Sequence, residues 1–69
     1  MKAVTKWFNE EKGFGFVTLE EGSDKGEDAF VHHSTIQMEG YRKLDEGDQV
    51  DVEVEMGPKG LKTTSVVKL

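Results

Sequence analysis

Four of the chain's six aromatic residues lie within one stretch of twelve residues, KWFNEEKGFGFV, which runs from Lys6 to Val17. Flat aromatic rings stack on nucleobases, and each stacked base contributes about 1–3 kcal/mol whatever its identity. Lysine side chains between the rings supply positive charge for the phosphate backbone. The residue types in this stretch therefore fit the binding of a single-stranded nucleic acid, whose base faces are open, better than that of a duplex.

Side-chain alternation separates aromatic from aliphatic residues in two predicted strands, GFGFVTL at 13–19 and AFVHH at 29–33. Successive side chains of a β-strand point to opposite faces of the sheet. If the aliphatic side chains face the core, the aromatic ones face solvent. The side that we expect to be exposed holds Phe14, Phe16, Phe30 and His32.

The alternative is that these rings form the core, because Phe is usually buried. Three features fit exposure instead. The KGFGFV hexapeptide at 12–17 is the ribonucleoprotein-type signature in which strand aromatics stack bases, although Leu19 stands where the longer pattern has an aromatic residue. We also expect Gly13 and Gly15 to leave the backbone open, so that a flat group can approach the rings closely. The aliphatic residues that suffice to fill a small barrel without the rings are Val17, Val31, Ile36, Val50, Val52, Val54 and Val66.

Five short strands and no long helix are predicted along the chain. The clearest is VDVEVEM at 50–56, where apolar residues alternate with acidic ones. GPKG at 57–60 predicts the turn that follows it, residues 20–28 a hairpin loop, and STIQ one helical turn with Ser34 as its N-cap. This pattern predicts an all-β fold, a small closed or partly closed antiparallel barrel. The predicted strands are 3–9, 13–19, 29–33, 50–56 and 61–69.

Length and composition limit the remaining possibilities. Sixty-nine residues predict a single domain over 1–69 with a thin core, and the absence of cysteine excludes a disulfide framework or a thiolate zinc site. No apolar run approaches the roughly 20 residues of a membrane span, and the N-terminus lacks a secretory pattern. We therefore expect a cytoplasmic protein with no membrane contact.

Charge is distributed unevenly in this acidic chain, whose net charge is -5. Residues 17–56 hold twelve acidic against three basic residues, whereas residues 1–16 and 57–69 each have a lysine excess. If the two ends lie side by side, they form a weakly positive face on an acidic body.

The motif KWFNEEKGFGFV, followed by DAFVHHSTIQMEGYRKLDEGDQV, resembles the cold-shock domain, and the resemblance covers nearly the whole chain. It implies a five-stranded OB-type barrel that binds single-stranded RNA and DNA. It also implies a role as an RNA chaperone and regulator of transcription or translation during cold and other stress. The base-stacking positions that it implies are Trp7, Phe14, Phe16, Phe30, His32 and Tyr41, with Phe8 partly exposed beside them. The polar contacts that it implies are Lys6, Asn9, Lys12, Asp28, Lys59, Gly60 and Lys62.

Several residues depart from the family pattern. His33 stands where a third aromatic residue is usual, and a neutral imidazole stacks more weakly, which would make that subsite weak or sensitive to pH. Thr5 stands where Val is common, so a bulge or changed register is possible and alternation does not decide the faces of Trp7 and Phe8. The loop at 20–28 is longer than usual, and Leu61 replaces a common proline.

Other chemistries find little support in the sequence. Adjacent residues of a strand point to opposite faces, so we expect His32 and His33 not to share a metal ion. No nucleophile and base pair has a recognisable signature, which indicates a protein that is not an enzyme and needs no cofactor. A protein-interaction module is the remaining rival, because exposed aromatic residues also mark protein interfaces. We expect a monomer, with a strand-exchanged dimer as the alternative.

Overall fold

Five β-strands follow one another along the chain, each within one residue of its predicted limits. The computed structural model describes residues 1–38, 40 and 43–69. A 3₁₀ turn, His33–Thr35, follows the third strand. In the part of the chain described, no helix has the length and apolar character of a membrane span. The strands are β1 Lys2–Asn9, β2 Phe14–Leu19, β3 Asp28–His32, β4 Gln49–Gly57 and β5 Gly60–Lys68.

The strands form a closed barrel in the order β1-β2-β3-β5-β4. Four of the five neighbouring pairs are antiparallel, but β3 and β5 run parallel where Phe30 pairs with Lys62. The predicted five-stranded barrel is therefore confirmed, and its description as purely antiparallel is wrong. The reason is geometric, because strand direction cannot alternate all the way round a closed ring of five strands.

The barrel interior is filled by aliphatic side chains, as the alternation predicts. The two largest fully buried side chains are those of Leu19 and Ile36. Val54 is only partly buried and packs against the core. Aromatic rings are not needed to fill so small a barrel. The buried hydrophobic residues are Ala3, Val17, Leu19, Ala29, Val31, Ile36, Leu44, Val50, Val52 and Val66.

A β-bulge in β1 changes the faces of the residues that follow it. Thr5 pairs with Val17 and Trp7 pairs with Phe16, so β1 has one additional residue, Lys6, at this point. Thr5 is buried, whereas Lys6 and Trp7 are both exposed. The bulge that the sequence allowed is thus present, and it turns the indole outwards.

The 3₁₀ turn has its N-cap two residues earlier than predicted. Its N-cap is His32, whose Nδ1 accepts a hydrogen bond from the backbone N–H of Ser34 at 3.2 Å. The prediction of Ser34 as N-cap is wrong, because β3 ends at His32 and Ser34 already lies inside the turn. The hydroxyl of Thr35 donates to the carbonyl of His32 at 2.8 Å and anchors the turn to the end of β3.

Replacing Thr5 with valine will stabilise the barrel. The Thr5 side chain is buried, and its Oγ1 has no hydrogen-bond partner among the residues described. A buried hydroxyl without a partner costs about 1–3 kcal/mol, and valine has nearly the same shape. We expect Thr5→Val to raise the free energy of unfolding in urea by about 1 kcal/mol.

Thr63 provides the matched control for this substitution. It is also buried, but its Oγ1 donates to the carbonyl of Phe30 at 3.0 Å. Thr63→Val should therefore destabilise the protein, since it leaves that carbonyl without this donor. The interpretation of Thr5 is wrong if both substitutions shift stability in the same direction.

Candidate nucleic-acid interface

Four aromatic rings form a contiguous cluster on the outside of the barrel, and we call it the aromatic face: Trp7, Phe14, Phe16 and Phe30. The ring centroid of Trp7 lies 6.0 Å from that of Phe14 and 5.5 Å from that of Phe16. The centroid of Phe30 lies 5.8 Å from that of Phe14 and 5.7 Å from that of Phe16. The indole is 39% exposed and the three phenylalanines are half-buried. The prediction that Phe14, Phe16 and Phe30 lie opposite the aliphatic core is confirmed.

Strand register brings the four rings together. Phe16 pairs directly with Phe30 across β2 and β3, and the bulge in β1 places Trp7 beside Phe16. Two of the four contacts are edge-on, a favourable geometry for aromatic pairs, and the other two are tilted. These mutual contacts hold the four rings in one contiguous patch on the outside of the barrel.

The glycines beside Phe14 do not leave an open backbone, so that prediction is wrong. Gly13 and Gly15 are both buried. A side chain at Gly13 would meet the His33 ring at 2.5 Å, and one at Gly15 would collide with the carbonyl oxygen of Trp7. The chain itself therefore fills the space that each glycine leaves. The two glycines allow close packing beneath the aromatic face and do not provide access to it.

The two histidines lie together at the end of the aromatic face. His32 is exposed and pairs with Phe14 across β2 and β3. The imidazole of His33 lies 4.4 Å from that of His32 at an angle of 33°. The prediction that they point to opposite faces is wrong, because β3 ends at His32 and the 3₁₀ turn redirects His33. Among the described residues, no group of three or more potential ligands could hold a metal ion.

Phe8 and Asn9 occupy positions different from those of the four rings. Phe8 is half-buried, pairs with Gly15 and packs against the hydrophobic core. The Oδ1 of Asn9 accepts a hydrogen bond from the backbone N–H of Lys12 at 2.9 Å, which shapes the turn between β1 and β2. Tyr41, the remaining predicted stacking residue, lies outside the described residues.

Acidic side chains balance part of the positive charge near the aromatic face. The Nζ of Lys6 lies 2.8 Å from a carboxylate oxygen of Asp28, whose other oxygen accepts from Thr18 at 2.9 Å. The hydrogen bond from Lys6, followed by that from Thr18, lowers the pKa of Asp28 below its usual value. Lys62 pairs in the same way with Glu55 at 3.2 Å.

The two lysine-rich ends of the chain do not supply adjacent strands, because β1 and β5 are not neighbours in the barrel. The ion pairs of Lys6 and Lys62 also reduce the positive charge that the two ends were expected to supply. Lys12 and Lys59 are the lysines of the predicted set whose ammonium groups contact no described acidic residue. Positive charge near the rings is therefore sparse.

The β4–β5 hairpin approaches the aromatic face from the side of Phe30. Gly57 pairs with Gly60, so Pro58 and Lys59 form the tip, as the GPKG pattern predicts. The φ angle of Gly60 is 121°, which a residue with a side chain rarely adopts. The predicted contacts at Lys59, Gly60 and Lys62 thus lie on one short hairpin beside the rings.

A small closed β-barrel with an exposed aromatic surface on adjacent strands defines a class of oligonucleotide-binding proteins. Residues 1–69 match the family model described as the 'Cold-shock' DNA-binding domain. The chain therefore belongs to the cold-shock domain family, whose members bind nucleic acid and are not enzymes.

Relatives from several bacteria share about half of the residues. Cold shock-like protein CspA of Shewanella violacea is 55% identical over 66 residues, which cover 96% of this chain and 90% of the relative. The CspA of Stigmatella aurantiaca is 56% identical over 63 residues, 91% of this chain and 88% of the relative. Cold shock-like protein CspC of Bacillus cereus is 48% identical over the full length of both chains.

Proposed function

We propose that this chain binds single-stranded RNA and DNA by stacking bases on the aromatic face. The observation that carries the proposal is the contiguous cluster of four rings, with centroids 5.5–6.0 Å apart, on the outside of a barrel that needs none of them for its core. Stacking needs no complementary charge on the protein. It therefore explains how a chain of net charge -5 holds a polyanion.

Further residues surround the stacking platform in this proposal. His32 extends it past Phe14, with His33 beside it, and Phe8 supports β1 from within. Asp28 accepts a hydrogen bond from a base edge, while lysines contact the phosphates. The residues proposed to contact or support nucleic acid at the edge of the aromatic face are Lys6, Phe8, Asn9, Lys12, Asp28, His32, His33, Tyr41, Lys59, Gly60 and Lys62.

Single strands should be strongly preferred over duplexes, because a duplex hides the base faces that the rings stack on. Over most of the site the protein should discriminate weakly between base sequences, since apolar rings offer few directional hydrogen bonds. In the cell, such binding suits an RNA chaperone and a regulator of transcription or translation under cold and other stress. We propose that the chain performs this role in the cytoplasm as a monomeric, single-domain protein.

The affinity for a single strand should fall only gently as salt increases. The slope of log affinity against log salt is about -0.7 for each phosphate contacted in single-stranded nucleic acid. Lys6 and Lys62 are already paired with carboxylates, which leaves Lys12 and Lys59 as the principal phosphate contacts. We expect a slope between about -1 and -3 in titrations of an oligothymidine at several salt concentrations.

Two lysine variants test whether Lys59 contacts a phosphate. Lys59→Gln should reduce the magnitude of the slope by about 0.7, since one phosphate contact is lost. Lys68→Gln is the matched control, because Lys68 pairs with Asp48 near the other end of β5. A wild-type slope steeper than about -4, equivalent to six or more phosphates, contradicts stacking as the main source of affinity.

A further inference from the structure

A groove continues the aromatic face beyond Phe30. It lies between the loop that joins β2 to β3 and the β4–β5 hairpin, and it offers about 930 Å³. Phe16 and Phe30 line it on the side of the aromatic face, and Met56, which is 73% exposed, adds an apolar surface from β4. The volume falls within the range of about 300–1,000 Å³ that is typical of small-molecule sites.

The two walls of this groove carry opposite charge. The loop contributes Asp24 and Glu27, and the hairpin contributes Lys59. Among the described residues, none donates a hydrogen bond to the side-chain carboxylate of Asp24 or Glu27 or pairs with it. The carboxylate of neighbouring Asp28 differs, because Lys6 and Thr18 already donate to it. The groove thus presents available hydrogen-bond acceptors on one side and an unpaired cation on the other.

A stacked nucleotide carries groups that complement both walls of this groove. Its base has a polar edge, its flat faces are apolar, and its phosphate is anionic. With the base beside Phe30 and the phosphate near Lys59, the polar edge of the base faces Asp24 and Glu27. Ionised carboxylates only accept hydrogen bonds. They therefore favour the exocyclic amino group of cytosine or adenine and repel the O4 carbonyl that thymine and uracil present at the corresponding position.

We propose that this groove is a base subsite selective for cytosine or adenine over thymine or uracil, with Asp24 and Glu27 as the selecting residues. The proposal rests on the proposed function, because the base enters as part of a strand stacked on the aromatic face. Continuity with the rings favours a nucleobase as the occupant over a basic protein segment. The long loop at 20–28 gains a role here, since it supplies the acidic wall.

Single-base replacements in an oligothymidine test this subsite. A set of short strands, each with one thymine replaced by cytosine or by adenine, is titrated against the protein by fluorescence anisotropy. We expect one position at which either replacement tightens binding by about tenfold or more, as one hydrogen bond to a charged acceptor implies. Elsewhere along the strand the replacements should change the affinity by less than about twofold, because stacking tolerates all bases.

Isosteric variants test whether the groove causes this base preference. Glu27→Gln and Asp24→Asn remove the charge and add an amide donor, which can satisfy the thymine carbonyl. In the double variant the preference at that position should disappear while binding to unmodified oligothymidine becomes tighter. Glu46→Gln is the matched charge control, because Glu46 precedes β4 and the groove lies at the opposite end of that strand.

The outcomes separate this inference from the proposed function. Equal affinity of the wild type for all strands, with binding intact, overturns the subsite and leaves the aromatic face in place. A preference that survives in the double variant overturns the assignment to Asp24 and Glu27. No binding to any strand overturns the proposed function itself, and the subsite with it. Binding of an arginine-rich peptide to the groove in place of a strand would overturn the choice of a nucleobase.

Discussion

Replacing Phe30 or Phe14 with alanine should weaken single-strand binding by roughly tenfold to a hundredfold, because each ring stacks a base worth about 1–3 kcal/mol. Both rings are half-buried on the outer face, and their centroids lie 5.8 Å apart. Loss of one ring therefore removes two aromatic contacts, each worth about 0.5–1.5 kcal/mol in the folded state, but opens no core cavity. Anisotropy titrations and urea unfolding of the same samples measure the two effects.

A core substitution supplies the contrast for these variants. Leu19 is fully buried and stands on the same strand as Phe14, with its side chain on the inner face. Leu19→Ala should cost about 2–5 kcal/mol of stability, a large share of what so small a domain has, while the remaining folded protein binds normally. If Phe30→Ala instead loses stability as Leu19→Ala does, the ring belongs to the core and its assignment to the binding surface is wrong.

Gly15→Ala should destabilise the barrel by about 2–3 kcal/mol, since a methyl group forced into a packed site costs this much. Gly15 pairs with Phe8, and an added Cβ would collide with the carbonyl oxygen of Trp7 and lie 2.7 Å from the Cα of Phe8. Backbone atoms cannot move aside as a flexible side chain can, so β1 must separate from β2. Because this displaces Trp7 from Phe16, binding should weaken together with the unfolding midpoint in urea.

Gly47→Ala is the control for a glycine that has space around it and lies outside the groove. Its φ angle is +87°, and no atom lies within 4 Å of an added Cβ. The substitution therefore costs only the backbone strain of a positive φ, about 1–2 kcal/mol. Equal binding losses in the two variants would contradict the view that Gly15 maintains the position of Trp7.

The faces of β2 and β3 were predictable from local sequence alone. Period-two alternation in 13–19 and 29–33 separates rings from aliphatic residues, and a barrel filled by the aliphatic set leaves the rings outside. The face of Trp7 was not predictable in this way, because a single bulged residue at Lys6 reverses the alternation. The parallel β3–β5 pair follows from five strands closing into a ring, a constraint that applies to the whole barrel and to no single segment.

Features that depend on contacts between distant segments of the chain could not be predicted from the sequence. The pairing of Lys6 with Asp28 joins residues 22 positions apart, and it removes one of the lysines expected to be available for phosphates. The position of His33 over Gly13 depends on where β3 ends, which alternation does not define to a single residue. The groove beside Phe30 combines a loop and a hairpin that lie more than 25 residues apart in the chain.

The fluorescence of Trp7 during titration with a short oligothymidine reports directly on base stacking at the aromatic face. Trp7 is the only tryptophan of the chain, and its indole is 39% exposed within the aromatic face. Stacking of a base on the indole should quench its emission in a saturable manner, while a duplex of matched length and ionic strength should leave the emission unchanged. Equal quenching by the duplex, or no change in emission with either the oligothymidine or the duplex, would contradict base stacking on the aromatic face. It would favour a protein partner for these rings.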